Sequence, residues 1–354
     1  MKKVAIIGSH GLYANYGGWD QLVKNLAERK TKEDFEYLIF NSKESPRVAR
    51  IPKGVVVKHI NLKASGFEGL FYDFWTILTC YFKIDTILLL GVQGIPLVAF
   101  LSLFRKVNVV SNVGGLEWER PKFGFFAKSY LKICFKLSFI FSEYVILDNQ
   151  HYSVFSPKKS NAKIVVLPYG GEINVELKIT NEILVKYPFL DSKYYLSISR
   201  ALEDNFIDKL CESFVGLDDK LVLISNFSSS TYGKMVLENY SCYHNIVLIN
   251  GLYDKPELDL IRRTCAAYIH THTLCGTAPS LVEMIISQRP ILSIDVPQNR
   301  FTLDNFGVYF KTFDELKSIL TNKEKFDLYR LTPSYMVEKY NWQGIVDKYE
   351  KTYF

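Results

Sequence analysis

Cysteine is sparse and scattered: six residues in 354 (Cys80, Cys134, Cys211, Cys242, Cys265, Cys275), with no C-x-x-C pair. That spacing carries no readable zinc site or disulfide framework and suits a reducing cytoplasm. No run of lysine and arginine tracks a phosphate backbone, and the net charge of +6 is spread along the chain. Nucleic acid is therefore not an expected partner, whereas an anionic ligand or bilayer is. The opening Met1-Lys-Lys-Val-Ala-Ile-Ile-Gly8 has too short an apolar run for a secretory leader. The uncharged stretch from Thr86 to Phe104 imitates a membrane span, but Gly91, Gln93, Gly94 and Pro96 interrupt its middle. Familiar catalytic devices are missing too: no G-x-G-x-x-G, no G-x-x-x-x-G-K-[ST] and no G-x-S-x-G elbow. There is no D-x-D carboxylate pair to hold a divalent ion on a nucleotide. His270 and His272 have no visible third ligand, so neither a metal nor a cofactor is expected.

What remains is apolar and aromatic: 48% of residues are hydrophobic, with 25 Phe and 23 Tyr. The length suits two domains, each able to bury a core. Short apolar runs alternate with helical stretches. Lys3–Ile7, Tyr37–Phe40, Val55–Ile60, Thr86–Leu90, Val107–Asn112 and Tyr144–Asp148 read as strands. Gly17–Arg29, Gly69–Phe82, Pro96–Phe104 and Phe125–Phe141 read as helices. The pattern restarts after Leu167-Pro-Tyr-Gly-Gly171, with strands at Tyr194–Ser199, Leu221–Ser225, Ile246–Leu248, Ala266–Ile269 and Pro290–Ile294. Strand–helix alternation with continuous apolar strands predicts two α/β units, each with a parallel sheet, and a cleft between them.

The richest segment is Tyr268-Ile-His-Thr-His-Thr-Leu-Cys-Gly-Thr-Ala-Pro-Ser-Leu-Val-Glu283. It leads from a strand, through a turn at Gly276, into a helix opened by Pro279 and Ser280, where Ser or Thr caps are favoured. Amides at such a helix start attract phosphate, and Glu283 one turn later suits sugar hydroxyls. Arg200, just past Tyr195-Leu-Ser-Ile-Ser, offers the donor fork that matches a diphosphate. Gly17 and Gly18, after Gly8-Ser-His-Gly-Leu-Tyr-Ala-Asn-Tyr16, would let a ligand approach a helix start closely.

These motifs, in order, resemble a GT-B glycosyltransferase of the GT4 type, and more narrowly the bacterial rhamnosyltransferase-like (DUF1972) subgroup of capsule and O-antigen synthesis. The subgroup's Gly-x-x-Gly-Ile-Pro-Ala-x-Tyr-Gly-Gly-Phe-Glu stands here as Gly8 to Asp20. Its Asn-x-Asp-Gly-x-Glu-Trp stands as Asn112 to Trp118, and its Asn…Tyr-Gly-Lys as Asn226, Tyr232, Gly233 and Lys234. Its His-Gly-His-Ser-x-Gly-Gly-Thr-Asn-Pro-Ser-Leu-x-Glu stands as His270 to Glu283, followed by Asn299-Arg300. Departures are His10 and Tyr13 for the usual Arg and Pro, Gly114 for Asp, and Cys275 where the wider fold carries a first Glu.

The resemblance implies a GT-B fold, two Rossmann-like domains facing across a cleft. Residues 1–170 would form an acceptor domain, onto which helices in 334–354 pack back, and 171–333 a nucleotide-sugar donor domain. It implies a retaining, metal-independent transfer from dTDP-rhamnose or a UDP-hexose to an undecaprenyl-diphosphate-linked saccharide. Arg200 would neutralise the donor diphosphate, with Glu117 at the acceptor or sugar. The implied donor contacts are Gly17, Gly18, Asn205, Asn226, Tyr253 and His272, with Gly276, Thr277, Ser280, Leu281 and Glu283 at the helix start. Tyr16 and Asp20 would face the acceptor.

Lys128, Lys132 and Lys136 recur every four residues along one helix side, with Phe125, Phe126 and Phe135 nearby. That pattern suits peripheral contact with an anionic bilayer at the inner face of the cytoplasmic membrane. Other classes stay open: a non-catalytic sugar-nucleotide binder, or a GT-B epimerase or hydrolase.

Overall fold

The computed structural model describes residues 1–14, 17–119, 123–322 and 332–354. Tyr16, an expected acceptor contact, lies outside the described residues. The chain divides into two compact units, Met1–Gly170 with Asn341–Phe354, and Gly171–Tyr340.

The first unit is built on strands β1 (Lys2–Ile7), β2 (Phe35–Asn41), β3 (Val55–His59), β4 (Thr86–Leu90), β5 (Asn108–Asn112), β6 (Tyr144–Leu147) and β7 (Lys163–Val166). They form one sheet in the order β3-β2-β1-β4-β5-β6-β7, every pair parallel. The central strands are apolar on both sides because helices cover both faces. Helices α2 (Glu68–Cys80), α3 (Ile95–Leu101) and α4 (Phe125–Phe141) share one core with Ile7, Ile87 and Leu89. The other face buries α1 (Gly18–Glu28) against Val4, Ile6 and Leu88. The span-like stretch resolves into β4, a turn and α3, and no helix among the described residues is long and apolar enough to cross a membrane.

The second unit carries β8 (Tyr194–Ile198), β9 (Lys220–Ser225), β10 (Ile246–Asn250), β11 (Ala267–His270), β12 (Ile291–Ile294) and β13 (Val308–Phe310). Their order is β10-β9-β8-β11-β12-β13, again all parallel. The helices are α5 (Asn181–Lys186), α6 (Ile207–Phe214), α7 (Thr231–Tyr240), α8 (Lys255–Thr264), α9 (Pro279–Ile286), α10 (Pro297–Leu303), α11 (Phe313–Thr321) and α12 (Ser334–Lys339). In both sheets the chain runs outward from a central strand and then restarts on its other side. The reversal falls between β1 and β4, and between β8 and β11. Ligands of open parallel sheets bind outside the strand carboxyl ends at such a reversal.

Three details differ from the sequence reading. The edge strands β7 and β13 were not expected; they are short, and most of their residues are half-buried or exposed, so neither gives a clear apolar run. The closing helices divide at 340/341 rather than joining the first unit together from 334. Met336 and Tyr340 are buried in the second unit's core. Only α13 (Trp342–Glu350) packs on the first, burying Trp342, Ile345, Val346 and Tyr349.

Candidate functional site

In the second unit, the loops beyond β8, β9, β11 and β12 are cross-linked around the strand reversal. Arg200 lies two residues past β8 with its side chain exposed, and no hydrogen bond or ion pair of its guanidinium occurs among the described residues. Its backbone is clamped. Asn205 Nδ2 donates to the Arg200 carbonyl at 2.8 Å, and the Ala201 amide donates to Asn226 Oδ1 at 2.8 Å. Ser230 Oγ donates to the Ala201 carbonyl at 2.7 Å while capping α7 by accepting the Gly233 amide. Asn205 and Asn226, expected at the donor, therefore hold the Arg200 loop in place. Asn205 is itself buried.

The loop after β11 is tied to the same place. Thr271 Oγ1 donates to the Asn205 carbonyl at 2.5 Å, and Thr273 Oγ1 to that of Asp204 at 3.3 Å. From α10, Asn299 Nδ2 donates to the His272 carbonyl at 3.0 Å, and Gln298 Nε2 to the Thr273 carbonyl. His270 and His272 lie ring to ring at 4.4 Å, both buried. Burial, aided by His272, holds the His270 imidazole well below the usual histidine range, hence neutral. Neither of its ring nitrogens finds a hydrogen-bond partner among the described residues.

Helix α9 starts at Pro279, where a fixed φ costs nothing. Its cap is Ala278, without a side-chain hydrogen bond, so the expected Ser or Thr cap is absent. Ser280 is half-buried at the second position of the helix, and the Tyr268 phenol donates to the Ile198 carbonyl at 3.1 Å. Gly276 and Thr277 are buried, and the Leu281 amide already donates to Ala278 at 3.0 Å. That bond spends one amide expected for phosphate. Glu283 is held by buried Arg262, whose Nη1 reaches Asp259 Oδ1 at 2.7 Å. Asp259 also accepts from Lys255 Nζ at 2.7 Å and from the Asn174 amide at 2.8 Å. The sequence reading missed this charge chain, although the 259/262 spacing along a helix was a visible signal. Tyr253, past β10, is an exposed ring beside Gly251.

In the first unit, Gly17 caps α1. Asp20, expected to face the acceptor, is buried. Its carboxylate accepts the Gly17 amide at 3.2 Å and the His10 amide at 2.9 Å, with His10 Nδ1 at 3.5 Å. It therefore braces the loop after β1 onto the helix. A Cβ on Gly18 would meet the Tyr169 ring at 3.0 Å. Gly114 adopts φ +60, and a Cβ there would meet the Trp19 indole at 3.0 Å, so a side chain at this position needs the indole to shift. Tyr13 has φ +63, which proline cannot adopt, so this loop as it stands could not carry proline at that residue. Asn112 accepts the Gly114 amide at 2.9 Å and donates to the Tyr349 hydroxyl at 2.7 Å. Glu117 sits half-buried on a short turn just beyond.

On α4, Lys132 and Lys136 are exposed and Lys128 is half-buried. Phe125 and Phe126 are exposed, but Phe135 turns inward onto Trp118 at 4.8 Å and cannot flank the lysines. Asp73 on α2 is a further buried carboxylate, accepting from Gln93 Nε2 at 2.7 Å; burial pushes it up to about 7. Among the described residues, no cluster of His, Cys, Asp and Glu that could hold a metal ion occurs.

Residues 1–172 match the family model described as Domain of unknown function (DUF1972). No curated protein matches the chain. Similar solved structures span it end to end. Sucrose-phosphate synthase from Thermosynechococcus elongatus has TM-score 0.79 at 14% identity, covering 100% of this chain and 98% of that one. HepE from Anabaena in complex with UDP-glucose has TM-score 0.74 at 12% identity, covering 99% of both. The UDP-forming α,α-trehalose-phosphate synthase from Burkholderia xenovorans, in complex with glucose-6-phosphate, has TM-score 0.73 at 11% identity, covering 99% of both. The chain thus has the GT-B fold of two Rossmann-like units, and the family-model match falls on the first of them.

Proposed function

We propose that the protein is a glycosyltransferase that moves a sugar from a nucleotide-diphosphate donor. The observation that carries this reading is the clamped Arg200 loop, tied through Thr271 and Thr273 to the segment that leads into α9, with Glu283 held by Arg262, at the strand reversal of the second unit. An exposed cation on a rigid loop stabilises charge where a diphosphate departs, without reorganising at the moment of reaction. Glu283, oriented by Arg262, suits the ribose hydroxyls. The similar structures that hold UDP or UDP-glucose support a nucleotide-sugar, with a UDP-hexose favoured over dTDP-rhamnose. The replacements His10, Tyr13 and Gly114 also count against carrying the subgroup's rhamnose over.

In this reading the transfer retains configuration and needs no metal. The bond from the sugar's anomeric carbon to the diphosphate oxygen breaks. The acceptor hydroxyl attacks the same face, and its proton passes to the departing phosphate oxygen. The acceptor is a lipid-diphosphate-linked saccharide such as an undecaprenyl-linked one. It would meet the first unit near Gly17, Gly18 and Glu117, at the inner face of the cytoplasmic membrane, in capsule or O-antigen assembly.

The test is thermal stabilisation by a panel of UDP-, GDP- and dTDP-sugars, followed by nucleoside-diphosphate release with and without a lipid-linked acceptor. Stabilisation by one donor and acceptor-dependent release are expected. Binding without release would make the protein a sugar-nucleotide binder, and release of epimerised or hydrolysed sugar alone would make it an epimerase or hydrolase.

A further inference from the structure

Helix α2 is apolar on two opposite sides. Its inner side buries Tyr72, Ile77 and Cys80 in the first unit's core. Its outer side exposes Phe67, Phe71, Trp75 and Leu78, and the stripe continues into Phe82 just past the helix. The spacing of four, four, three and four keeps these side chains in one line along the helix. A soluble surface helix places polar residues there instead. Phe67 is 80% exposed, so the stripe is not a grazed edge of the core.

The neighbouring helices repeat the pattern. Just beyond α3, Leu103 and Phe104 are exposed, with Phe104 against Phe100 at 5.5 Å. On α4, Phe126 (85% exposed) and Ile133 point outward beside Lys132 and Lys136. Since α2, α3 and α4 cover the same face of one sheet, their outer sides form one continuous layer. Isolated exposed apolar residues need no explanation, but a patch of this extent marks an interaction surface.

Charge identifies the partner. Segments 67–83, 95–106 and 125–141 contain Lys83, Arg105, Lys106, Lys128, Lys132 and Lys136. Against these stand only Glu68 and the buried Asp73. Aromatic and aliphatic side chains set among unopposed cations match a lipid surface with anionic headgroups.

We infer that the outer layer of α2, α3 and α4 is a bilayer-docking face that inserts the Phe67–Phe82 stripe among the acyl chains of an anionic leaflet. The inference deepens the transferase reading by naming how a lipid-linked acceptor is met, and it rests on that reading only for the acceptor. The insertion is apolar, with α2 as its centre. The lysines of α4 steer and orient the docking.

Co-sedimentation with phosphatidylglycerol/phosphatidylethanolamine vesicles and with phosphatidylcholine vesicles tests it, donor absent. Wild type is expected to partition onto the anionic vesicles at least tenfold more strongly than onto phosphatidylcholine. Phe71→Ser/Trp75→Ser, changes confined to exposed positions, should lower that partition about tenfold and leave the melting temperature and nucleotide-sugar binding unchanged. Lys132→Glu/Lys136→Glu should remove the preference for anionic lipid. High salt should weaken binding by wild type without abolishing it. Failure of wild type to bind anionic vesicles, or equal binding by the serine variant, overturns the docking face. So does a wild-type dimer in solution that the serine variant dissolves, since a second copy then covers the stripe. Loss of sugar-nucleotide binding with vesicle binding intact would instead count against the transferase reading.

Discussion

Replacing Arg200 with alanine separates the charge of its guanidinium from the architecture of its loop. The loop is held by hydrogen bonds between its backbone and the side chains of Asn205, Asn226 and Ser230, none of which uses the Arg200 side chain. The side chain is exposed, so its removal should change folding free energy by less than about 0.5 kcal/mol. Two unit charges about 4 Å apart interact by roughly 4 kcal/mol at an effective dielectric near 20. Loss of a preorganised charge-stabilising donor in comparable sites costs about 3–4 kcal/mol, or roughly 10²–10³ in turnover. Arg200→Ala should therefore lower kcat by that factor with an unchanged urea midpoint. Arg200→Lys keeps the charge but loses the fork and should fall between. Asn226→Ala leaves the Ala201 amide without its side-chain acceptor and should lower turnover about tenfold, rescued in part by Asn226→Asp. Nucleoside-diphosphate release, measured beside urea denaturation, reads all four. Turnover of Arg200→Ala within about threefold of wild type refutes the role given to this residue.

Glu283→Gln removes the negative charge that Arg262 faces while leaving Arg262 paired with Asp259. Titration with the stabilising sugar-nucleotide should show affinity weakened at least tenfold, with about 1–3 kcal/mol lost in urea denaturation; unaltered affinity would remove Glu283 from the ribose. Asp73 carries the main pH prediction. Its folded value of about 7 lies above the ordinary carboxyl value of 3.8, so the folded state prefers the protonated form. Stability is undiminished below about pH 4, declines as pH rises toward 7 and stays lower above it. Between pH 5 and 8 the Asp73 contribution falls by about 3 kcal/mol. Asp73→Asn should flatten that slope, gaining on wild type at pH 8 and much less at pH 5 in thermal denaturation; parallel pH profiles would show that the carboxyl is ionised in the fold.

The elements legible in the sequence were those with an unbroken local signal. Buried parallel strands such as Thr86–Leu90 read as apolar runs, and α1 and α4 read from periodicity. Arg200 and Glu283 stood out because glycine, proline and a lone charge punctuate strand ends. Roles that depend on partners distant in the chain were not legible. Asp20, read as facing the acceptor, turned inward to the amides of His10 and Gly17. Asn205 and Asn226, read as donor contacts, became backbone clamps because loops from neighbouring strands converge on Arg200. Phe135 and Phe126 share one helix, yet only the sheet beneath decides which faces inward.

Amino-acid order alone determined two α/β units and the strand-end position of the charged and glycine-rich loops. Those follow from periodicity and spacing, which are local. Only the tertiary structure decided that Arg262 and Asp259 stand behind Glu283, that Asp73 is buried against Gln93, and that α2 shows an apolar stripe opposite its core face. Burial and pairing are set by what packs against a side chain, and for these residues the deciding neighbours lie on other turns, helices and strands.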